Sequence, residues 1–69
     1  MHPDVFRGQW QRLKGDIKMR WGRLTNDDLD SIGGAIDKLE RRLQERYGWG
    51  EEEAVRELDA WARERGVWA

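Results

Sequence analysis

The 69-residue sequence contains no cysteine, so neither a disulfide framework nor a thiolate metal site can reinforce its fold. It has one proline, Pro3, and no apolar run near the roughly 20 residues that span a bilayer. The opening residues Met1, His2, Pro3, Asp4, Val5, Phe6 and Arg7 lack the uninterrupted apolar stretch of a secretory signal. A soluble, cytoplasmic chain is the expectation. Catalytic side chains are scarce as well: one serine (Ser31), one threonine (Thr25) and one histidine (His2). A nucleophile, base and orienting group would require His2, beside a terminus of the kind that usually frays, to reach across the domain. His2 therefore reads as a solvated terminal residue and the chain as a non-enzyme. No glycine-rich loop precedes a Lys-Ser or Lys-Thr pair, which removes the usual phosphate cradle. Asp27, Asp28 and Asp30 lack the alternating ligands and central glycine of a calcium loop. They read as helix-capping groups, as do Glu51, Glu52 and Glu53, and no metal or cofactor is expected.

In place of covalent or metal staples the sequence offers five tryptophans. A chain this short is close to the lower limit for burying a core, and indoles supply the largest apolar area per residue. The hydrophobic and charged fractions, 38% and 39%, are those of a helix-rich domain with a strongly polar exterior. There is room for one domain, spanning residues 1–69.

Phe6, Trp10, Leu13, Ile17, Trp21 and Leu24 recur at steps of three and four, which places them on one stripe of a helix. The spacing predicts a first helix over residues 4–21, with Gly22 taking the left-handed conformation that ends it. Thr25 then caps a short second helix with Leu29 and Ile32 inward, broken by Gly33 and Gly34. A third helix carries Ile36, Leu39, Leu43 and Tyr47 and stops at Gly48. A fourth begins after Gly50, its first turn loaded with Glu51 to Glu53, and its apolar face is Val55, Leu58 and Ala62 with Trp61. Gly66 stops it.

A shift of 26 residues superimposes the halves: Trp10 on Ile36, Leu13 on Leu39, Ile17 on Leu43, Trp21 on Tyr47, Gly22 on Gly48, Leu29 on Val55 and Ile32 on Leu58. The expected fold is all-α, a small bundle of about four helices built as two packed helical hairpins with approximate internal duplication.

The stretch Trp21-Gly22-Arg23-Leu24-Thr25-Asn26-Asp27-Asp28-Leu29-Asp30, followed by Ile32, Gly33 and Gly34, resembles the central signature of the CsbD-like small bacterial general-stress proteins. Gly8-Gln9-Trp10-Gln11-Arg12-Leu13-Lys14-Gly15 upstream is similar to that family's first helix, and Gln44-Glu45-Arg46-Tyr47-Gly48 and Asp59-Ala60-Trp61 follow at the expected places. The resemblance covers residues 4–61. It implies a helical bundle from two hairpins, abundance under stress and no established catalytic activity, and it supplies no active site. Arg41 stands where the family often has glycine, arginine replaces lysine in the first helix, and residues 62–69 extend beyond the usual end.

Charge is distributed unevenly. In residues 1–24 six cations face two carboxylates, leaving +4, whereas residues 25–69 carry seven cations and twelve carboxylates, leaving −5. On the first helix Arg7, Lys14 and Lys18 fall on one side of the apolar stripe, and Arg12, Arg20 and Arg23 on the other. This is the candidate interaction surface. One reading is backbone-directed nucleic-acid binding that collapses with salt. The other is a solvated face that complements the acidic helices of the same molecule, which the near-neutral overall balance favours. Gly8, Gly15 and Gly22 recur every seven residues, the first two inside the helix on the face roughly opposite the apolar stripe. They read as a smooth groove where a second helix or chain comes close, or else as simple tolerance or a helix kept marginal so that the protein can open under changing conditions. Trp10 and Trp21 are expected in the core, whereas Trp49 and Trp68, near helix ends, are either lids or partner contacts. The sequence thus points to a monomeric, noncatalytic stress-response protein that acts by interaction or abundance. Its partner is unknown, with a protein or weakly bound nucleic acid as the two classes.

Overall fold

The computed structural model describes residues 3–67, so the readings of His2 and Trp68 fall outside the described residues. Among the described residues five helices follow in order: α1 (Pro3–Gly8), α2 (Trp10–Arg20), α3 (Asn26–Ile32), α4 (Ile36–Tyr47) and α5 (Glu51–Arg65). No strand occurs among the described residues. The protein is an all-α bundle.

The stripe predicted as one helix over residues 4–21 is divided at Gln9, whose φ of −102° and ψ of 7° leave the helical region. Its N–H is shared between the carbonyls of Val5 (3.1 Å) and Phe6 (3.2 Å). Gly8, a poor helix former, immediately precedes the break. The α3–α4 turn packs against this break. Gly34 is buried, has φ +90°, and a Cβ there would sit 3.3 Å from Trp10 Cβ and 3.4 Å from Arg7 Cα. The backbone of this turn therefore seats directly on the α1–α2 bend, an approach open only to glycine.

Each later boundary has its own local cause. Thr25 Oγ1 accepts from the Asp28 N–H at 3.0 Å while Asp28 Oδ2 accepts from the Thr25 N–H at 3.0 Å, a reciprocal capping box that starts α3. Gly48, at φ +69°, ends α4 by donating to Gln44 O at 2.9 Å. The left-handed stop expected at Gly22 does not form, because Gly22 is not among the positive-φ glycines. Instead Trp21 itself closes α2 with φ −121° and ψ 79°, and the Leu24 N–H bonds back to Trp21 O at 3.0 Å. Both side chains are buried, so packing rather than glycine sets that exit.

α4 is the central element: α1, α3 and α5 all pack against it, and α5 returns along it after the connection at residues 48–50. The core joins Phe6, Trp10, Leu13, Ile17, Trp21 and Leu24 to Leu29, Ile32, Ile36, Leu39, Leu43, Ala54, Leu58, Trp61, Ala62 and Val67. Its aromatic contacts are tilted pairs, Phe6 with Trp10 at 5.6 Å and Trp21 with Trp61 at 5.7 Å. Two expected core residues lie at its edge. Tyr47 is half-buried, and so is Val55, because α5 turns Ala54, Leu58, Trp61 and Ala62 inward and carries Val55 about 100° off that line. Ala54 is the 26-residue counterpart of Asp28, and both are buried. The segment that reads as an extension beyond residue 61 contributes Ala62 and Val67 to the core.

Candidate functional site

The six cations of the first helical stretch do not form one surface. Arg20 Nη1 lies 2.6 Å from Glu64 Oε2, and Asp16 Oδ1 lies 3.5 Å from Arg65 Nη2, so α2 and α5 are joined by two ion pairs of opposite sense. Lys18 Nζ donates to Asn26 Oδ1 at 2.6 Å. Arg23 covers the Tyr47 ring at 5.2 Å, its backbone N–H donates to Tyr47 Oη at 3.3 Å, and its Nη1 reaches Arg46 O at 3.4 Å. Tyr47 stacks in turn on Trp49, with ring centres 4.6 Å apart, which makes the half-buried Trp49 a lid over the α4 terminus. Arg7, Arg12 and Lys14 make no hydrogen bond or ion pair among the described residues. Half of the candidate surface is thus committed to the fold and half is free.

The glycines of this region are exposed, and a Cβ at Gly8, Gly15 or Gly22 would meet nothing within 4 Å. Met19, 83% exposed, is the most solvent-accessible large apolar side chain of α2.

The buried charged group among the described residues is Asp28, 3% exposed. Arg46 grips it in a two-pronged contact, Nε to Oδ2 and Nη2 to Oδ1, both at 2.8 Å, and Arg42 Nε approaches Oδ1 at 3.7 Å. The Arg46 hydrogen bonds, helped by the Thr25 N–H and hydroxyl, hold the Asp28 carboxyl far below the ordinary carboxylate range, against the opposing effect of burial. Asp28 therefore both caps α3 and ties it to the end of α4. Capping is legible in the sequence. The arginine, 18 residues away, is not, because no local spacing rule connects them.

The two aliphatic hydroxyls have defined partners. Thr25 Oγ1 is occupied by the α3 cap, and Ser31 Oγ accepts from Arg42 Nη2 at 3.2 Å. Arg42 also pairs with Glu45 through Nη1 at 3.0 Å. Around this Ser31–Arg42 contact the structure opens a groove of about 250 Å³ lined by Ser31, Lys38, Arg41, Arg42 and Glu45. Sequence reading missed this second basic surface. Its signal was the Lys38-x-x-Arg41-Arg42 spacing, which the net acidity of residues 25–69 concealed.

Arg41 also borders a groove of opposite character, about 320 Å³, with Asp37, Glu40, Gln44 and Glu51. Burial, followed by the charges of Glu51, Asp37 and Asp59, pushes the Glu40 carboxyl above its ordinary value. Among the described residues no group of three or more His, Cys, Asp or Glu side chains is placed to hold a metal ion. No described helix is long and apolar enough to cross a membrane.

The fold and these surfaces define a class: a small all-helical protein with an aromatic-rich core, a capped and arginine-tied aspartate, and charged surface grooves. A sequence model of the CsbD-like family matches residues 4–56, and the chain belongs to that general-stress family. It is 50% identical over 58 residues to UPF0337 protein PA4738 of Pseudomonas aeruginosa, covering 84% of this chain and 89% of that protein. It is 46% identical over 61 residues to UPF0337 protein ECA0631 of Pectobacterium atrosepticum, covering 88% of each. To UPF0337 protein YjbJ of Escherichia coli K12 it is 41% identical over 61 residues, again 88% of each. These names carry no activity.

Proposed function

We propose that this protein is a noncatalytic, cytoplasmic, monomeric member of the bacterial stress response, folded as one domain over residues 1–69, that acts stoichiometrically by binding a macromolecule. The observation that carries the reading is how its polar groups are used. The Thr25 hydroxyl and the Asp28 carboxylate are consumed in holding α3 and α4, whereas Arg7, Arg12 and Lys14 remain uncommitted at the surface. Reactive groups serve the fold, and charge is left for contact. In a bacterium lacking its own copy of the gene, protection under stress should rise in proportion to the amount of protein supplied. Full protection from trace amounts would indicate turnover and overturn the reading.

A second reading is favoured by the same three free cations: sequence-independent binding of nucleic acid through its phosphates. Three such contacts give a slope of log affinity against log salt of about −2.7 on duplex DNA. Fluorescence anisotropy of labelled duplex DNA and single-stranded RNA, at low and near-physiological salt, tests it. Binding that falls steeply with salt and disappears on replacing Arg7, Arg12 and Lys14 by glutamine supports it. Absence of binding at low salt removes it.

A further inference from the structure

We propose that the groove between α3 and α4 is a binding site for a phosphate dianion, presented as inorganic phosphate or as the terminal group of a phosphate monoester. The inference stands apart from the α1–α2 cations and requires neither reading of the function above.

Three observations converge on it. The groove gathers three cations, Lys38, Arg41 and Arg42, around the one serine of the chain. Lys38 and Arg41 make no hydrogen bond or ion pair with any described residue, so their donors are available without breaking a contact. Ser31 is the directional element. Its oxygen already accepts from Arg42 Nη2 at 3.2 Å, so its own proton is left to donate to a further acceptor. Hydroxyl, guanidinium and ammonium donors meeting at one groove match the acceptor-only, multiply charged surface of a phosphate.

Size and charge narrow the ligand. A volume of about 250 Å³ lies below the roughly 300–1,000 Å³ of sites that enclose a whole organic ligand. The groove therefore takes the anionic group and leaves any attached moiety outside. Several carboxylates oppose binding: Glu45, held by Arg42 at 3.0 Å, Asp27, one turn before Ser31 on the same face of α3, and Asp37, Glu40 and Glu51, which share the neighbouring groove with Arg41. Against Glu45 the three lining cations still leave a net +2, and Asp28 is neutralised by Arg46. Removing the Glu45 charge should strengthen phosphate binding, an effect that a purely structural role for the groove would not produce.

The test is a titration of isotope-labelled protein with sodium phosphate and, separately, with adenosine 5′-monophosphate. Ionic strength is held at about 150 mM, where diffuse surface attraction is largely screened. The expected result is a saturable movement of the Ser31, Lys38, Arg41 and Arg42 amide signals that weakens as the pH is lowered and the dianion protonates. Ser31→Ala should weaken the apparent affinity by about tenfold, the equivalent of one hydrogen bond to a charged group. Lys38→Gln combined with Arg41→Gln should abolish saturation, Glu45→Gln should tighten binding severalfold, and Arg12→Gln should change nothing. Equal affinity for the two ligands means that the phosphate alone is read, and tighter binding of the nucleotide means that its nucleoside rests on the groove rim. Circular dichroism establishes that each variant is folded. A titration without saturation, shifts spread equally over the α2 cations, or folded Ser31→Ala and Glu45→Gln proteins that bind like the parent would each overturn the proposal.

Discussion

At the scale of single residues, two carboxylates pull stability in opposite directions with pH. Asp28 is buried and held ionised by Arg46 and the α3 cap. Because its folded-state value is depressed, its contribution is complete above the unfolded value of about 3.9 and is lost as pH falls through the lower, folded value. Acid unfolding of the parent should therefore steepen below about pH 4, and Asp28→Asn should flatten that limb in a thermal melt series. At neutral pH Asp28→Ala should cost about 2 kcal/mol, because it removes a buried acceptor of charged and backbone donors. Glu40 behaves in reverse. Its value is raised by burial and by Glu51, Asp37 and Asp59, so its contribution is present below the unfolded value of about 4.3 and is lost as pH rises through the folded one. Glu40→Gln should then stabilise the protein at pH 7 by about 0.5 kcal/mol, the scale of exposed like-charge contacts. The gain should vanish near pH 3, which paired melts of the two proteins would show.

At the scale of elements, the bend between α1 and α2 and the turn between α3 and α4 are one feature. Gly34 takes φ +90° against Arg7 and Trp10, so a methyl group there meets both backbone strain and a crowded neighbour. Gly34→Ala should destabilise by about 2 kcal/mol. The interior glycine of α2 is the contrasting case, since a Cβ at Gly15 meets open space. Gly15→Ala should stabilise by about 1 kcal/mol, through helix propensity alone, without altering the oligomeric state. Chemical denaturation of both variants checks the pair, and sedimentation of the Gly15→Ala protein checks the second half of that expectation. A loss of self-association in that variant would turn the glycine series into a packing groove instead.

For the whole molecule, stability rests on a small number of large side chains. Phe6, Ile17, Leu39, Leu43 and Leu58 are fully enclosed, and Trp21 and Trp61 meet at 5.7 Å beneath the ion pairs that join α2 to α5. Trp61 Nε1 is buried without an acceptor among the described residues, a loss accepted for the area its ring contributes. A core of this size leaves only a few kcal/mol of net stability. Leu43→Ala, on the central helix, should cost about 2–5 kcal/mol and leave much of the chain unfolded at 25 °C, measurable by circular dichroism. Exposed ion pairs matter far less. Neutralising Glu64 should change stability by less than about 1 kcal/mol and only at low salt.

The periodic apolar positions determined the all-α class, the order of the helices and most of the core, because a 3.6-residue repeat with glycine and capping punctuation is a local signal. The Thr25–Asp28 cap was legible for the same reason. What tertiary structure decided involves residues far apart in sequence. The division of the first stripe at Gln9 coincides with the seating of Gly34, and the exit of α2 follows the burial of Trp21 and Leu24. The inward turn of Ala54 in place of Val55 follows from how α5 lies on α4. The candidate surface changed most. Arg20 and Arg23, alike in sequence to Arg7 and Arg12, are drawn to Glu64 and Tyr47, and a second basic groove forms where α3 lies against α4. Charge is a local property of the sequence, but whether a charge is free or paired depends on which elements pack beside it.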